Sequence, residues 1–104
     1  MNIGIVYLGA AIVLEVLGTT SMKMAEGFAH LGPSICIFIF YGAASTVLTL
    51  ALRTLELSVA YALWSGIGTA LIALIGAFYF HETFPVMKII AMGLIISGTV
   101  LLRV

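Results

Sequence analysis

The sequence has 104 residues, of which 63% are hydrophobic and 8% are charged, and its formal net charge is zero. Soluble domains carry about 25% charged residues, and a soluble fold of this length could not hide so much apolar surface. We therefore expect lipid to surround most of the chain, and the neutral charge balance argues against nucleic acid as a partner.

Four apolar stretches divide the chain, and each is long enough to cross about 30 Å of hydrocarbon as a helix. They cover residues 3–22, 33–52, 58–80 and 85–103. Pro33 and Pro85 stand where a helix begins and a missing N–H is harmless. Because a lipid-exposed sheet would leave backbone groups unpaired, the sequence predicts an all-α membrane protein. Its single domain, residues 1–104, holds four transmembrane helices.

The basic residues are balanced between the two sides of the membrane. With four spans, Arg53 and Arg103 fall on one side, and Lys23 and Lys88 fall on the other. The positive-inside rule gives no preference here, so we infer that the chain inserts in both orientations; the alternative is that flanking context fixes one orientation. Larger transporters build a substrate path from inverted repeats, which this short chain lacks. We therefore expect an antiparallel, dual-topology homodimer.

Glu15 is the only charged residue in the middle of an apolar stretch. A carboxylate at such a depth costs about 2.5–3.5 kcal/mol on insertion scales, which makes it a candidate functional site. A proton neutralises this carboxylate and a cation pairs with its ionised form, so the two compete for it. Gly18 and Thr19 lie on the same helical face. They leave room for a cavity, and Thr19 can donate a hydrogen bond, although ordinary helix packing also explains such small residues.

Polar and aromatic residues on the second and third helices are candidates to line a shared chamber. Tyr41 and Ser45 share one face of the second helix; the alternative role is hydrogen bonding between helices. Tyr61 and Trp64 share one face of the third helix, and Trp64 is the only tryptophan. Their rings suit an organic cation through cation–π contact, whereas the alternative is an interfacial or core aromatic pair.

Small residues predict a hinge and a contact between chains. Gly66 and Gly68 bracket a site where the third helix could bend, and close helix packing is the alternative. The last helix carries small residues at spacings typical of membrane helix contacts. The predicted dimer contact comprises Ala91, Gly93, Leu94, Ser97 and Gly98.

The remaining polar residues indicate no catalytic chemistry. His30 and His81 both fall in loops, and the sequence has no metal-ligand cluster, phosphate loop or nucleophile constellation. We expect a protein that is not an enzyme and that uses no metal or cofactor, with protons as its coupling ion.

Two stretches resemble the small multidrug resistance family: residues 15–23, EVLGTTSMK, and residues 60–68, AYALWSGIG. Shorter matches lie at residues 26–28, 33–34 and 93–98, so the resemblance covers nearly the whole chain. It implies an antiparallel dimer in the bacterial inner membrane that exports cationic compounds in exchange for protons. The essential acid of the family corresponds to Glu15, and its binding-site aromatics correspond to Tyr7, Tyr41, Tyr61 and Trp64.

The Gly-Thr-Thr sequence after Glu15 is similar to the branch that exports quaternary ammonium and lipophilic aromatic cations. Ser45 stands where multidrug members often carry an aromatic residue. Its smaller, more polar side chain favours guanidinium-like cations, so a guanidinium exporter is an alternative. A second alternative is one subunit of a paired polyamine or drug exporter, although the balanced charges argue against it. A structural subunit that transports nothing would not need a carboxylate in mid-span.

Overall fold

The structure, a computed structural model, describes residues 3–103 and folds this range into four α-helices. They are α1 (Ile3–Ala25), α2 (Leu31–Ala51), α3 (Leu57–Phe78) and α4 (Val86–Arg103). Residues 1, 2 and 104 of the predicted domain lie outside the described residues. A helix pairs its backbone groups within its own segment, which suits an apolar chain in lipid. The predicted all-α fold of four helices is confirmed.

The first helix continues to Ala25 instead of ending at residue 22. Lys, Met and Ala are all good helix formers, so the last charged turn stays helical. The helix ends where Glu26, Gly27 and Phe28 take positive φ angles of 48°, 68° and 70°. The N–H groups of residues 29 and 30 both bond to the Ala25 carbonyl, at 2.9 and 3.2 Å, and close this end of the helix.

The other helix ends also differ from the predicted spans by one or two residues. α2 begins at Leu31, two residues before Pro33. Proline fits in the first turn, because the N–H groups there have no intrahelical acceptor and the missing one costs nothing. α3 ends at Phe78 instead of residue 80, and His81 then turns the chain with a φ of 57°. α4 begins at Val86, directly after a proline.

The four helices form a flat layer. α1 packs against α2 and α3, and α4 packs against α3. The molecule measures 41 × 35 × 18 Å along its principal axes. A helix with its side chains is about 10–12 Å across, so the thinnest dimension holds fewer than two helices side by side. Many large apolar side chains are therefore exposed on the single chain.

The buried core follows one stripe of α1. Leu8, Ile12 and Val16 recur every four residues and so lie on one helical face, where they form a cluster with Ala51 of α2 and Ala60 of α3. The two alanines let the helix backbones approach closely, as is usual where membrane helices pack. This core fixes the positions of α2 and α3 around the face of α1 that also carries Glu15.

Three of the helices, α1, α2 and α3, are each long and apolar enough to cross a membrane, judged by length and composition. The apolar part of α4 is shorter and covers Val86–Leu102. This length lies at the short end of the range of about 17 to 25 residues for membrane helices.

Candidate functional site

The carboxylate of Glu15 is held by hydroxyl groups from two helices. Thr19, one turn further along α1, donates a hydrogen bond to Oε1 of Glu15 at 2.9 Å. The hydroxyl of Tyr41 in α2 hydrogen-bonds with the Thr19 hydroxyl and lies 3.4 Å from the same Oε1. Hydroxyl donors of this kind orient the carboxylate and stabilise its ionised form. The structure thus brings Glu15, Thr19 and Tyr41 into contact, and their roles in proton and substrate binding stay predictions.

Gly18 allows Tyr41 to reach this position. A β-carbon at residue 18 would lie 2.9 Å from two carbons of the Tyr41 ring, so the ring packs directly on the glycine backbone. Any larger residue would force the ring away from α1. The missing side chain of Gly18 therefore provides the space in which the Tyr41 ring packs. This role is more specific than the cavity-forming role expected from its size.

The third helix faces the second oxygen of the carboxylate. A β-carbon on Gly68 would lie 3.4 Å from Oε2 of Glu15, so even a methyl group at this position would touch the acid. Within the described residues, Oε2 accepts no hydrogen bond, whereas Oε1 is bonded by hydroxyl groups. The carboxylate thus keeps one oxygen available for a proton or a cation.

An aromatic pair stands on the same face of α3. The rings of Tyr61 and Trp64 contact each other edge to face, with centroids 5.9 Å apart and an interplanar angle of 73°. Trp64 is half-buried against the core, while Tyr61 is 62% exposed on the single chain. The electron-rich ring faces of such a pair attract cations.

The acid, Tyr41 and the aromatic pair line one cavity of about 420 Å³ between α1, α2 and α3. Its volume lies within the range of about 300–1,000 Å³ that is typical of small-molecule sites. Among the described lining residues, Glu15 is the only charged one. The cavity therefore combines one carboxylate, aromatic rings and hydroxyl groups. Its lining residues are Glu15, Tyr41, Tyr61, Trp64, Ser65, Gly68, Thr69 and Ile72.

Four predicted site residues lie outside this lining: Gly18, Thr19, Tyr7 and Ser45. Gly18 and Thr19 contact the Tyr41 ring and its hydroxyl, as described above. Tyr7 packs against the buried core cluster of α1. Ser45 is exposed on α2, one turn beyond Tyr41, and its carbonyl accepts a hydrogen bond from the Thr49 hydroxyl at 2.8 Å. The binding roles of Tyr7 and Ser45 stay predictions.

The two predicted hinge glycines both lie at helix contacts. Gly66 packs against Thr99 of α4, where a β-carbon on the glycine would lie 2.5 Å from the threonine hydroxyl. Gly68 packs against Glu15, as described above. α3 is helical without a break through both positions. Close packing is thus visible in the structure, and the hinge stays a prediction.

The predicted dimer contact on α4 is exposed on the single chain. All five of its residues are exposed, and nothing lies within 4 Å of a β-carbon built on either of its glycines. The contact stays a prediction. Its residues are Ala91, Gly93, Leu94, Ser97 and Gly98.

Sequence reasoning missed three residues that line the cavity: Ser65, Thr69 and Ile72 of α3. Counting forward from Tyr61 by helical turns reaches positions 65, 68 and 72, so the helical period could have identified Ser65 and Ile72. Thr69 lies beside them on the same broad face. Within residues 3–103, no group of three or more His, Cys, Asp or Glu side chains could hold a metal ion.

Comparison with known proteins identifies the family of this chain. The family model described as "Small Multidrug Resistance protein" matches residues 3–95. The chain is 49% identical over 98 residues to "Uncharacterized membrane protein YvaE" of Bacillus subtilis, covering 94% of this chain and 82% of the relative.

Two further relatives carry functional names. "Multidrug transporter EmrE" of Escherichia coli is 41% identical over 98 residues, covering 94% of this chain and 89% of the relative. "Quaternary ammonium compound-resistance protein QacE" of Escherichia coli is 40% identical over 100 residues, covering 96% and 91%. The resemblance to the multidrug and quaternary-ammonium branch is confirmed. With its apolar helices, this chain is a multi-pass bacterial membrane protein and belongs to the small multidrug resistance family.

Proposed function

We propose that this protein is a proton-coupled antiporter that exports small organic cations, including quaternary ammonium and lipophilic aromatic cations. The observation that carries the proposal is the cavity of about 420 Å³ in which Glu15 is the only charged residue among the described lining residues. The names of the relatives EmrE and QacE support the same class of substrate.

Coupling follows from the competition of two positive species for one carboxylate. A proton on Oε2 of Glu15 removes the charge that would pair with an organic cation. A cation in the cavity favours the ionised carboxylate, which Thr19 and Tyr41 already stabilise through Oε1. Binding of one species therefore expels the other. If the cavity changes sides only when it is occupied, protons moving inward drive cations outward, with no other cofactor.

Recognition of the cation rests on aromatic faces as well as on charge. Trp64 and Tyr61 present an edge-to-face pair beside the carboxylate. Cation–π contact contributes about 2 kcal/mol or more where water is excluded. Aromatic cations gain additional stacking on the same rings. This combination favours lipophilic cations over small, strongly hydrated ones.

The working assembly in this proposal is an antiparallel homodimer of two oppositely inserted copies. Three observations support it: the flat shape of the single chain, the exposure of the small-residue face of α4, and the exposure of Tyr61 at the mouth of the cavity. A second copy would cover these surfaces and close the cavity. The equal division of Lys and Arg between the two sides of the chain is consistent with insertion in both orientations.

The test is transport by this chain alone, reconstituted in liposomes of bacterial inner-membrane lipids. We expect an imposed pH gradient to drive uptake of tetraphenylphosphonium and of a tetraalkylammonium ion, and Glu15→Gln to abolish this uptake. The matched control is Glu56→Gln, which removes an exposed carboxylate before α3, and it should transport like the wild type. Retained proton-driven uptake by Glu15→Gln would refute the proposal.

The same assay separates the alternative substrates and assemblies. Guanidinium is added in competition with the tetraalkylammonium ion. Preferential transport of guanidinium would favour the guanidinium exporter, and inactivity of the single chain would favour a paired exporter that needs a second subunit.

A further inference from the structure

A second, smaller cavity lies between α1 and α3, on the side of Glu15 that faces the loop between α3 and α4. Its volume is about 160 Å³. Its polar lining consists of Thr19, Thr20 and Lys23 from α1, together with Glu82 from the loop. We call it the α1–α3 chamber. Nothing in the proposed transport cycle so far uses it.

Two residues that line the chamber, Lys23 and Glu82, form an ion pair at its exposed end. Nζ of Lys23 lies 3.8 Å from Oε2 of Glu82, and the two side chains are 61% and 45% exposed. Glu82 packs against Gly76 of α3 in two ways. Its N–H donates a hydrogen bond to the Gly76 carbonyl at 2.9 Å. Its carboxylate occupies the space that a side chain at position 76 would take. Because exposed pairs of this kind contribute little to stability, this one can open easily.

The inner end of the chamber reaches the functional site. Thr19 lines the chamber, and its hydroxyl donates the 2.9 Å hydrogen bond to Oε1 of Glu15. Ile72 lines both the chamber and the larger cavity, so one side chain separates the two spaces. The chamber therefore extends from the exposed Lys23–Glu82 pair to the Thr19 hydroxyl, and Glu15 itself lines the larger cavity.

We propose that the α1–α3 chamber is a proton route between Glu15 and the membrane surface, and that the Lys23–Glu82 ion pair is its outer gate. This inference rests on the proposed function, since it assigns a separate path to the proton in the same exchange. When a cation enters the larger cavity, the O–H bond at Glu15 breaks. The proton passes by way of the Thr19 hydroxyl and water in the chamber to bulk solvent, and the carboxylate pairs with the cation.

Size and charge assign this route to protons and not to organic cations. At about 30 Å³ per water, the chamber holds a short chain of water molecules but not a quaternary ammonium ion with bulky substituents. The ammonium group of Lys23 repels organic cations, and its ion pair with Glu82 holds it at the mouth of the chamber. The titratable groups that face the route are Lys23 from α1, Glu82 from the loop and, at the inner end, Tyr41 from α2.

The test measures how fast the proton leaves. Purified protein in weakly buffered detergent is mixed rapidly with tetraphenylphosphonium, and a pH dye follows proton release. We expect Glu82→Gln and Lys23→Gln, which open the gate, to speed release about two- to five-fold, the range that loss of an exposed ion pair allows. The equilibrium dissociation constant of the cation should stay unchanged. If Lys23 and Glu82 had a purely structural role, their replacement would change the release rate and the dissociation constant together.

A third variant closes the route. Thr20→Leu fills the chamber without touching Glu15, since the Thr20 hydroxyl bonds only the Val16 carbonyl of its own helix. It should slow proton release at unchanged affinity, and Glu56→Gln should behave like the wild type. Equal release rates in the wild type and in the two gate variants would overturn the inference while leaving the proposed function intact. Absence of release from the wild type itself would overturn both.

Discussion

Gly68 of α3 faces the carboxylate of Glu15 in α1, at a distance such that a β-carbon at position 68 would lie 3.4 Å from Oε2. A methyl group would just fit there in van der Waals contact, and a larger side chain would crowd the space between the acid and α3. Oε2 is also the oxygen that accepts no hydrogen bond from the described residues. The absence of a side chain at position 68 therefore keeps the reactive oxygen open to the cavity.

A bulkier residue at position 68 should weaken cation binding. In Gly68→Val the added methyl groups crowd Oε2, and overpacking of this kind costs about 1–3 kcal/mol, or roughly five- to 150-fold in affinity. Calorimetric titration with tetraphenylphosphonium measures the change. The control is Gly42→Val on α2, where nothing lies within 4 Å of a β-carbon. Equal affinities in the two variants would show that position 68 does not border the bound cation.

Removal of the Tyr41 hydroxyl should also weaken cation binding, because it leaves the ionised carboxylate with fewer donors. Tyr41→Phe deletes the group that contacts both Thr19 and Oε1 of Glu15. One such hydrogen bond contributes about 1 kcal/mol, which corresponds to roughly fivefold in affinity. Tyr79→Phe removes an exposed hydroxyl at the end of α3 and serves as the control. An unchanged dissociation constant for Tyr41→Phe would exclude a role for this hydroxyl.

The aromatic pair should discriminate between substrates. Trp64→Ala removes the larger ring beside Glu15, and affinity for an aromatic cation should fall by about 0.5–2 kcal/mol. Trp64→Phe should retain part of this affinity. Competition binding with aromatic cations and with guanidinium measures the difference. Phe78→Ala, at an exposed position of the same helix, should change neither. Equal losses for both ligands in Trp64→Ala would point to general disruption instead of cation–π contact.

Packing between α3 and α4 depends on Gly66. A β-carbon there would lie 2.5 Å from Oγ1 of Thr99, whose hydroxyl donates to the Ile95 carbonyl at 2.9 Å. Gly66→Ala should therefore lower the free energy of unfolding by about 1–3 kcal/mol, and Thr99→Ala in the same chain should restore much of it. Denaturant unfolding in detergent measures both variants. Gly9→Ala on exposed α1 surface is the control. If Gly66→Ala alone unfolded with the free energy of the wild type, α3 and α4 could move apart at this point without cost.

Much of the fold could be predicted because lipid simplifies the problem. In hydrocarbon, length and apolar composition are enough to indicate a helix, so all four helices were expected close to their observed positions. Glu15 was equally clear, because a charge inside an apolar run has few structural explanations. The helix ends were less accurate: the charged Lys23 suggested a loop, yet lysine favours helix, and Lys23 lies in the last turn of α1 with its side chain 61% exposed.

The finer parts of the site needed three-dimensional structure. Ser65 and Thr69 are residue types found throughout membrane helices, so nothing in their identity marks them as cavity lining. Lys23 and Glu82 are far apart in the sequence, and only the packing of α1 against α3 brings them within 3.8 Å. Tyr7 was assigned through the family resemblance, whereas on the single chain it packs against the core.

The most direct test of the central claim is proton release on cation binding at equilibrium. Tetraphenylphosphonium is added to purified, unbuffered protein at a series of pH values around neutral, and the released protons are titrated. Competition at Glu15 predicts that the wild type releases protons in proportion to bound cation and that Glu15→Gln releases none. Cation binding by the wild type without proton release, or equal release from Glu15→Gln, would contradict the account.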